Sequence, residues 1–314
     1  MGRYREADLS RLTVGSVADR PTRVRVEDYA RPLAPAAAAA VLDSLPDQLA
    51  ARALREVIER TVTAVRAGRP VVAMLGGHVV KSGVVPCLNT LIERQVLRHV
   101  AMNGSAAIHD VEIARTGRTS EDVEANLQTG TFGMVDETGD FMNATAARGF
   151  ERGEGLGETW GRALVEERPP HLAASLLAAA YRAGVPATVH VALGTDTIHH
   201  HPRCDGAALG ALTLRDFRIF AATLAEARGA VVLNLGSAVL MPEVFLKALA
   251  VARNLGAGLE DLTTVNFDQI QHYRPRVNVV ERPTRAPGAR GYAITGHHEI
   301  LVPLFTGALL ARLG

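Results

Sequence analysis

The chain has 314 residues, of which 47% are hydrophobic and 21% charged, and its formal net charge is +1. That composition is globular with ample core, and the near-neutral charge, without a basic run or aromatic ladder, argues against nucleic-acid binding. Two cysteines without CxxC spacing give neither a disulfide framework nor a zinc knuckle. With no apolar leader and no run of about 18 apolar residues to span a membrane, a cytoplasmic protein is expected.

Residues 1–48 show no clear periodicity and read as an N-terminal arm, with no chemistry apparent in it, ahead of a single α/β domain over 49–314. The alanine-rich run Pro35–Leu42 reads as a surface turn or helix start. Ala51–Ala67 places Leu54, Val57, Ile58, Val62 and Val65 on one helical stripe, stopped by Gly68 and Pro70. The apolar run Val71–Leu75 then reads as a buried strand. Gly76 and Gly77 turn the chain sharply after it, and His78, Lys81, Ser82 and Gly83 follow. Backbone amides at such a turn suit an anion.

Helix Gly83–Arg94 and strand Leu97–Asn103 continue the alternation, ending in the turn Asn103-Gly104-Ser105. Ala106–Thr116 reads as a helix in which His109 and Glu112, three apart, share a face, so that Glu112 or Asp110 would orient the imidazole. Thr119–Asp122 looks like a helix cap with acids in the first turn. Residues 130–170 are glycine-rich and partly helical, without a confident strand, and read as a cap or inter-subunit excursion. Pro170–Ala183 reads as a helix, Pro186–Leu193 as a strand ending at Gly194-Thr195-Asp196, and Thr213–Arg228 as a helix. Strand Ala230–Leu235 ends at Gly236-Ser237, helix Pro242–Leu255 leads to strand Asp261–Phe267 with Asn266 and Asp268, and strand Gly291–Thr295 precedes Gly296-His297-His298 and an apolar helix to Leu313.

Six strand ends thus deliver polar or glycine residues, as expected of a doubly wound, mostly parallel sheet with a Rossmann-like crevice at the strand carboxyl ends. The crevice is broad enough for a dinucleotide, and Asp268 or Asp196 suits ribose hydroxyls, although GxGxxG is absent. Lys81 and Lys247 are the only lysines among 34 basic residues. A lysine that persists where arginine is the rule points to a role for its amine, as nucleophile or electrostatic anchor, and Lys81 is the stronger candidate; Lys247 reads as a snorkelling helix residue. His109 or His200 is the expected acid–base group. A metal-dependent hydrolase or lyase built from His78, His200, Asp205, His297 and His298 is the alternative, and a non-catalytic binding protein on the same fold is another.

These pieces, over roughly residues 70–312, resemble the deoxyhypusine synthase superfamily, which uses NAD and includes homospermidine synthases. Gly77–Gly83 is similar to that family's turn entering a helix, Asn103-Gly104-Ser105 to the turn before its acidic segment, Val185–Asp205 to its strand carrying a polar loop, Asn234–Val239 to its glycine turn, Asn266-Phe267-Asp268 to its nicotinamide-side loop, and His297–Leu304 to its closing helix. The resemblance implies NAD as cofactor, a transferase or oxidoreductase acting on an amine or polyamine-like small molecule, and a homo-oligomer, dimer or tetramer. It implies a cofactor site of Gly76, Gly77, His78, Ser82, Gly83, Asn103, Gly104, Ser105, Asp196, Gly236, Ser237, Asn266, Asp268 and His297, with Lys81, His109, Asp110, Glu112, His200 and His298 in chemistry. The departures are equally specific. Leu240-Met241-Pro242 stands where the family has its imine-forming lysine, and Gln269–Arg276 replaces its acidic polyamine loop.

Overall fold

The computed structural model describes residues 3–314. Strand β1 (Thr22–Arg25), helices α1 (Pro35–Ser44) and α2 (Leu49–Arg66) and strand β2 (Val71–Leu75) open the chain. Next come α3 (Gly77–Lys81), α4 (Val85–Glu93), β3 (Leu97–Asn103), α5 (Gly104–Thr116), β4 (Arg118–Glu121), α6 (Val123–Thr129), α7 (Asp136–Arg152), α8 (Leu156–Glu167) and α9 (Leu176–Ala183). The second half runs β5 (Ala187–His190), α10 (Gly206–Ala225), β6 (Val231–Leu235), α11 (Leu240–Asn254), β7 (Thr263–Asp268), α12 (Tyr273–Pro275) with a π turn over Arg276–Glu281, β8 (Arg290–Thr295) and α13 (His298–Leu313).

Six strands form one parallel sheet in the order β5-β3-β2-β6-β7-β8. Strands β2, β6 and β7 are buried along their whole length, which is why β2 and β6 read as apolar runs broken only by Asn234 rather than as an alternation, while β7 buries Thr263, Thr264, Asn266 and Asp268 beside Val265 and Phe267. Helices cover both faces. Phe220 of α10 and Met241 and Phe245 of α11 pack on Val72, Met74 and Val232, while α2, α4, α9 and α13 close the larger core on the other face. The chain leaves β2 through β3 to β5 in one direction, then returns to add β6, β7 and β8 in the other. The order reverses between β2 and β6, and in a doubly wound sheet that switch point opens the ligand crevice.

The helix expected over Pro170–Ala183 begins only at Leu176, the one expected over Thr213–Arg228 spans Gly206–Ala225, and three further segments differ more from the sequence expectation. Residues 130–170 are not an excursion. Gly139, Gly149, Gly157 and Gly161 lie inside α7 and α8, where neighbours come too close for a side chain: a Cβ on Gly149 would stand 2.1 Å from Thr159 Oγ1, and one on Gly157 2.0 Å from the Ala187 carbonyl oxygen. Thr119–Glu121 belongs to strand β4, paired antiparallel with β1, and only Asp122 caps α6, accepting from Ala125 N at 3.2 Å. The run at Pro35 is a full helix whose Ala38 and Leu42 enter the main core; Gly307 of α13 makes room for it, since a Cβ there would meet Ala38 Cβ at 2.6 Å.

Candidate active site

The six carboxyl ends carry two separate groups of polar side chains, one on each side of the switch point. The switch itself is tight. A Cβ on Gly76 would stand 2.3 Å from the Gly236 carbonyl oxygen, so the two turns touch backbone to backbone, and both positions exclude a side chain.

On the side of β2, β3 and β5 lies a cleft of about 220 Å³ whose lining includes Arg20, Lys81, Ser105, His109, Glu112 and Asp196, flanked by Ile108, Val123 and Phe132. Helix α5 starts at the end of β3, where the Asn103 side chain accepts from Ala106 N at 2.9 Å. One turn later it presents His109 and Glu112. They do not meet directly. Thr119 of β4 stands between them, donating its hydroxyl to Glu112 Oε2 at 2.5 Å while His109 Nδ1 lies 2.7 Å from Thr119 Oγ1. Arg20 pairs with Glu112 at 2.8 Å and with Glu121 at 3.2 Å, so the relay carboxylate is ionised and neutralised. The only Thr119 proton is then committed to Glu112, and His109 Nδ1 must be the donor. Burial first, then the Lys81 and Arg20 cations, push the His109 pKa down to about 3. The imidazole is neutral, with Nδ1 protonated and Nε2 left as a lone pair without a partner among the described residues.

Asp110 turns the other way. It is fully buried on the far face of α5, where it accepts from Ser175 Oγ and Leu176 N, both at 2.6 Å, and from Leu177 N at 3.2 Å. It caps α9 and orients no imidazole, because adjacent helical positions point about 100° apart. Burial raises its pKa to about 6 against those donors.

Asp196 has a different environment. Its side chain is 9% exposed, packs against Gly104, where a Cβ would stand 2.1 Å from Oδ2, and forms a capping box with His199, facing that residue's backbone N–H, with no side-chain donor within hydrogen-bonding distance among the described residues. Burial pushes its pKa up to about 6. The nearest cation-capable group is His199, with Nε2 3.8 Å away; His199 Nδ1 accepts from the amides of Gly194 and Asp196, both at 3.1 Å, which leaves Nε2 protonated. Lys81 also has no ion-pair partner among the described residues, and its charge acts on both His78 and His109.

On the side of β6, β7 and β8, Asp268 is 6% exposed and its carboxylate has no donor among the described residues. His298 is buried; its Nε2 donates to the Phe267 carbonyl oxygen at 3.1 Å and its Nδ1 is a sealed, unpartnered acceptor. His78, exposed, stands edge-on to it with ring centroids 5.5 Å apart. Partial burial, then His298 and Lys81, lower the His78 pKa. His297 is 60% exposed and turned toward Glu299. Asn266 is held in an amide chain, accepting from Asn234 at 2.6 Å and donating to Gln271 at 2.7 Å, and Ser237 Oγ accepts from Met241 N at 3.2 Å.

Several expected residues serve elsewhere. His200 bonds to the Gly133 carbonyl oxygen at 3.1 Å and Asp205 caps α10 through Ala207 N at 2.8 Å, so these two stand apart from the His78–His298 pair in the alternative metal set. Among the described residues no three His, Cys, Asp or Glu side chains are grouped to hold a metal ion. Ser82 and Gly83 sit behind α3, with Ser82 Oγ donating to the Val79 carbonyl oxygen and the Gly83 oxygen accepting from Ala30 N. Lys247 pairs with Glu243 on α11. Conversely, Arg20, Thr119 and Glu121 were not anticipated. The arm around Arg20 lacks periodicity, and only the strand pairing of β1 with β4 carries it to the cleft.

No family model matches the sequence, and no curated protein matches it. Solved structures do. A conserved protein described as LOR/SDH, from Methanococcus maripaludis S2, superposes with a TM-score of 0.51 at 13% identity, covering 92% of this chain and 73% of that one. AgrE in a ternary complex with ornithine and NAD+ gives 0.50 at 16% identity, covering 83% of this chain and 32% of AgrE, so the present chain spans about a third of AgrE's length. A protein from Entamoeba histolytica described as a deoxyhypusine synthase gives 0.42 at 11% identity, covering 76% and 72%. No helix among the described residues is long and apolar enough to cross a membrane. The chain therefore carries the doubly wound parallel α/β fold that the LOR/SDH-type and AgrE structures share.

Proposed function

We propose that this chain is an NAD-dependent enzyme that oxidises an amine or alcohol carbon of a small molecule and transfers or rearranges the resulting group. The observation that carries the reading is a pair of largely buried carboxylates without side-chain donors, one on each side of the switch point: Asp196 over β2, β3 and β5, and Asp268 over β6, β7 and β8. A dinucleotide laid across a doubly wound sheet offers one ribose diol to each half. Carboxylate oxygens that remain open to the crevice are acceptors for such hydroxyls, and two diols spaced along it would satisfy both.

In the usual direction of such sheets, adenosine lies over the first strands, which assigns its ribose to Asp196 and the nicotinamide ribose to Asp268. Lys81, uncommitted and felt by the imidazoles of both halves, is the electrostatic anchor for the diphosphate between them. The cleft of about 220 Å³ fits one end of a dinucleotide, and the rest follows the strand ends past Gly76 and Gly236. Bound NAD supplies a hydride acceptor. The protein's part is to hold the substrate carbon beside it and to take the accompanying proton. His78, open to the crevice and neutral, accepts that proton, and His298 forms the wall behind it, its ring fixed by the bond to the Phe267 oxygen. Ornithine bound with NAD+ to AgrE supports an amine-bearing substrate. A homo-oligomer is part of the same proposal.

The test is thermal unfolding with and without NAD. At about 100 times its dissociation constant a ligand adds roughly 2.7 kcal/mol, a clear rise in melting temperature. No shift at millimolar NAD would overturn the reading.

A further inference from the structure

The relay through Arg20, Glu112, Thr119 and His109 has no part in the proton transfer proposed above, because it opens on the opposite side of the switch point. It still spends three buried or half-buried polar groups to fix one atom. Arg20 neutralises Glu112, Glu112 takes the Thr119 proton, and Thr119 takes the His109 Nδ1 proton, so His109 Nε2 faces the cleft as an acceptor and never as a donor. Thr138 closes the remaining freedom of Glu112 by donating to Oε1 at 3.1 Å. Ile108, Val123 and Phe132 supply apolar walls to the same cleft. A flat heteroaromatic ring fits such walls, and the single-sense acceptor demands a donor on that ring.

We propose that His109 reads the base of the dinucleotide, its Nε2 accepting from the 6-amino group of adenine, with Thr119, Glu112 and Arg20 as positioning residues that hold the imidazole in that tautomer. The proposal rests on the dinucleotide reading above. It adds a specificity: a purine with an oxygen at position 6 sets one lone pair against another, and the site rejects it. His109 is then a binding residue, and the N-terminal arm takes part in recognition through Arg20.

The experiment compares NAD with nicotinamide hypoxanthine dinucleotide, in which the 6-amino donor is replaced by a carbonyl oxygen and N1 carries a proton, by titration calorimetry on the full chain. The wild type is expected to favour NAD by about tenfold or more, the value of one well-placed hydrogen bond whose loss leaves a buried acceptor unpaired. Thr119→Val removes the acceptor that fixes Nδ1–H, so the ring takes either tautomer and the preference falls to within about twofold. Nitrogen-15 NMR of the wild-type histidines gives a reading that needs no variant: His109 is expected as the Nδ1–H form. Equal affinities for the two dinucleotides, or an Nε2–H tautomer, would overturn this proposal and leave the cofactor reading standing. Binding of neither dinucleotide would overturn both.

Discussion

The two halves of the crevice are built on opposite rules. Over β2, β3 and β5 the polar groups are chained to one another, from Arg20 through Glu112 and Thr119 to His109, so a hydrogen-bonding direction is set before any ligand arrives. Over β6, β7 and β8 the titratable groups stand singly, beside the amide chain of Asn234, Asn266 and Gln271: Asp268 without a donor, His298 with a sealed free nitrogen, and His78 at the rim. A chained set has few states and suits recognition. A loosely committed set has protons to give and take, and suits chemistry.

The division can be broken first where the halves meet. Gly76→Val drives a side chain into the Gly236 backbone, which cannot swing aside as a flexible side chain would. The expected loss is about 3 kcal/mol or more in urea unfolding, with NAD binding abolished. Asp110→Ala is next in size. It strips the carboxylate that receives three donors at the start of α9, for a stability loss of about 2–3 kcal/mol, while the affinity for NAD is unchanged in the protein that remains folded. A changed affinity would bring Asp110 back into the site.

Asp196→Asn and Asp268→Asn separate the free carboxylates from the structural one. Each should weaken NAD binding by about tenfold without loss of stability. For Asp196 the pH dependence has a definite sign. Its carboxyl is raised from 3.8 to about 6 in the folded chain, so the unfolded chain releases the proton first, and stability falls as pH rises from about 4 to about 6. Asp196→Asn should therefore melt higher than wild type at pH 8 and no higher at pH 3.5. The smallest effect is expected of Lys81→Met: an unchanged melting temperature, NAD affinity lower by several-fold, and a flatter dependence of that affinity on salt. Wild-type affinity in that variant would remove Lys81 from the diphosphate.

The sheet was legible because its central strands β2, β6 and β7 are buried on both faces. Val71–Leu75 and Leu97–Asn103 stand in the structure with the bounds that the apolar runs predict, and all six strands are present. The helices over 136–167 were legible only in part, and their extent and packing were not, because glycine in a helix looks the same in sequence whether it breaks the helix or lets a neighbour in. The candidate site was legible one residue type at a time. Asp196, Asp268, Lys81 and His109 stand out at strand ends or on the helices that follow, and those ends are the easiest feature to place. What joins them was hidden. Thr119 is seven residues from Glu112 and reaches it only because β4 turns back along α5, and Arg20 reaches Glu112 across 92 residues of chain. Asp110 misled for the reverse reason: adjacency in sequence to His109 is divergence on a helix.

The packing of α1 on α13, with Ala38 seated against Gly307, also bears on how the molecule is made. The helix that follows the segment carrying Arg20 has no surface to rest on until residues near 307 have been made. Closure across so much chain is slow compared with local structure formation, so α1 should be among the last elements to dock, whereas β1 finds β4 within the first 121 residues. A growing chain would then hold the Arg20 relay before it holds its closing helices.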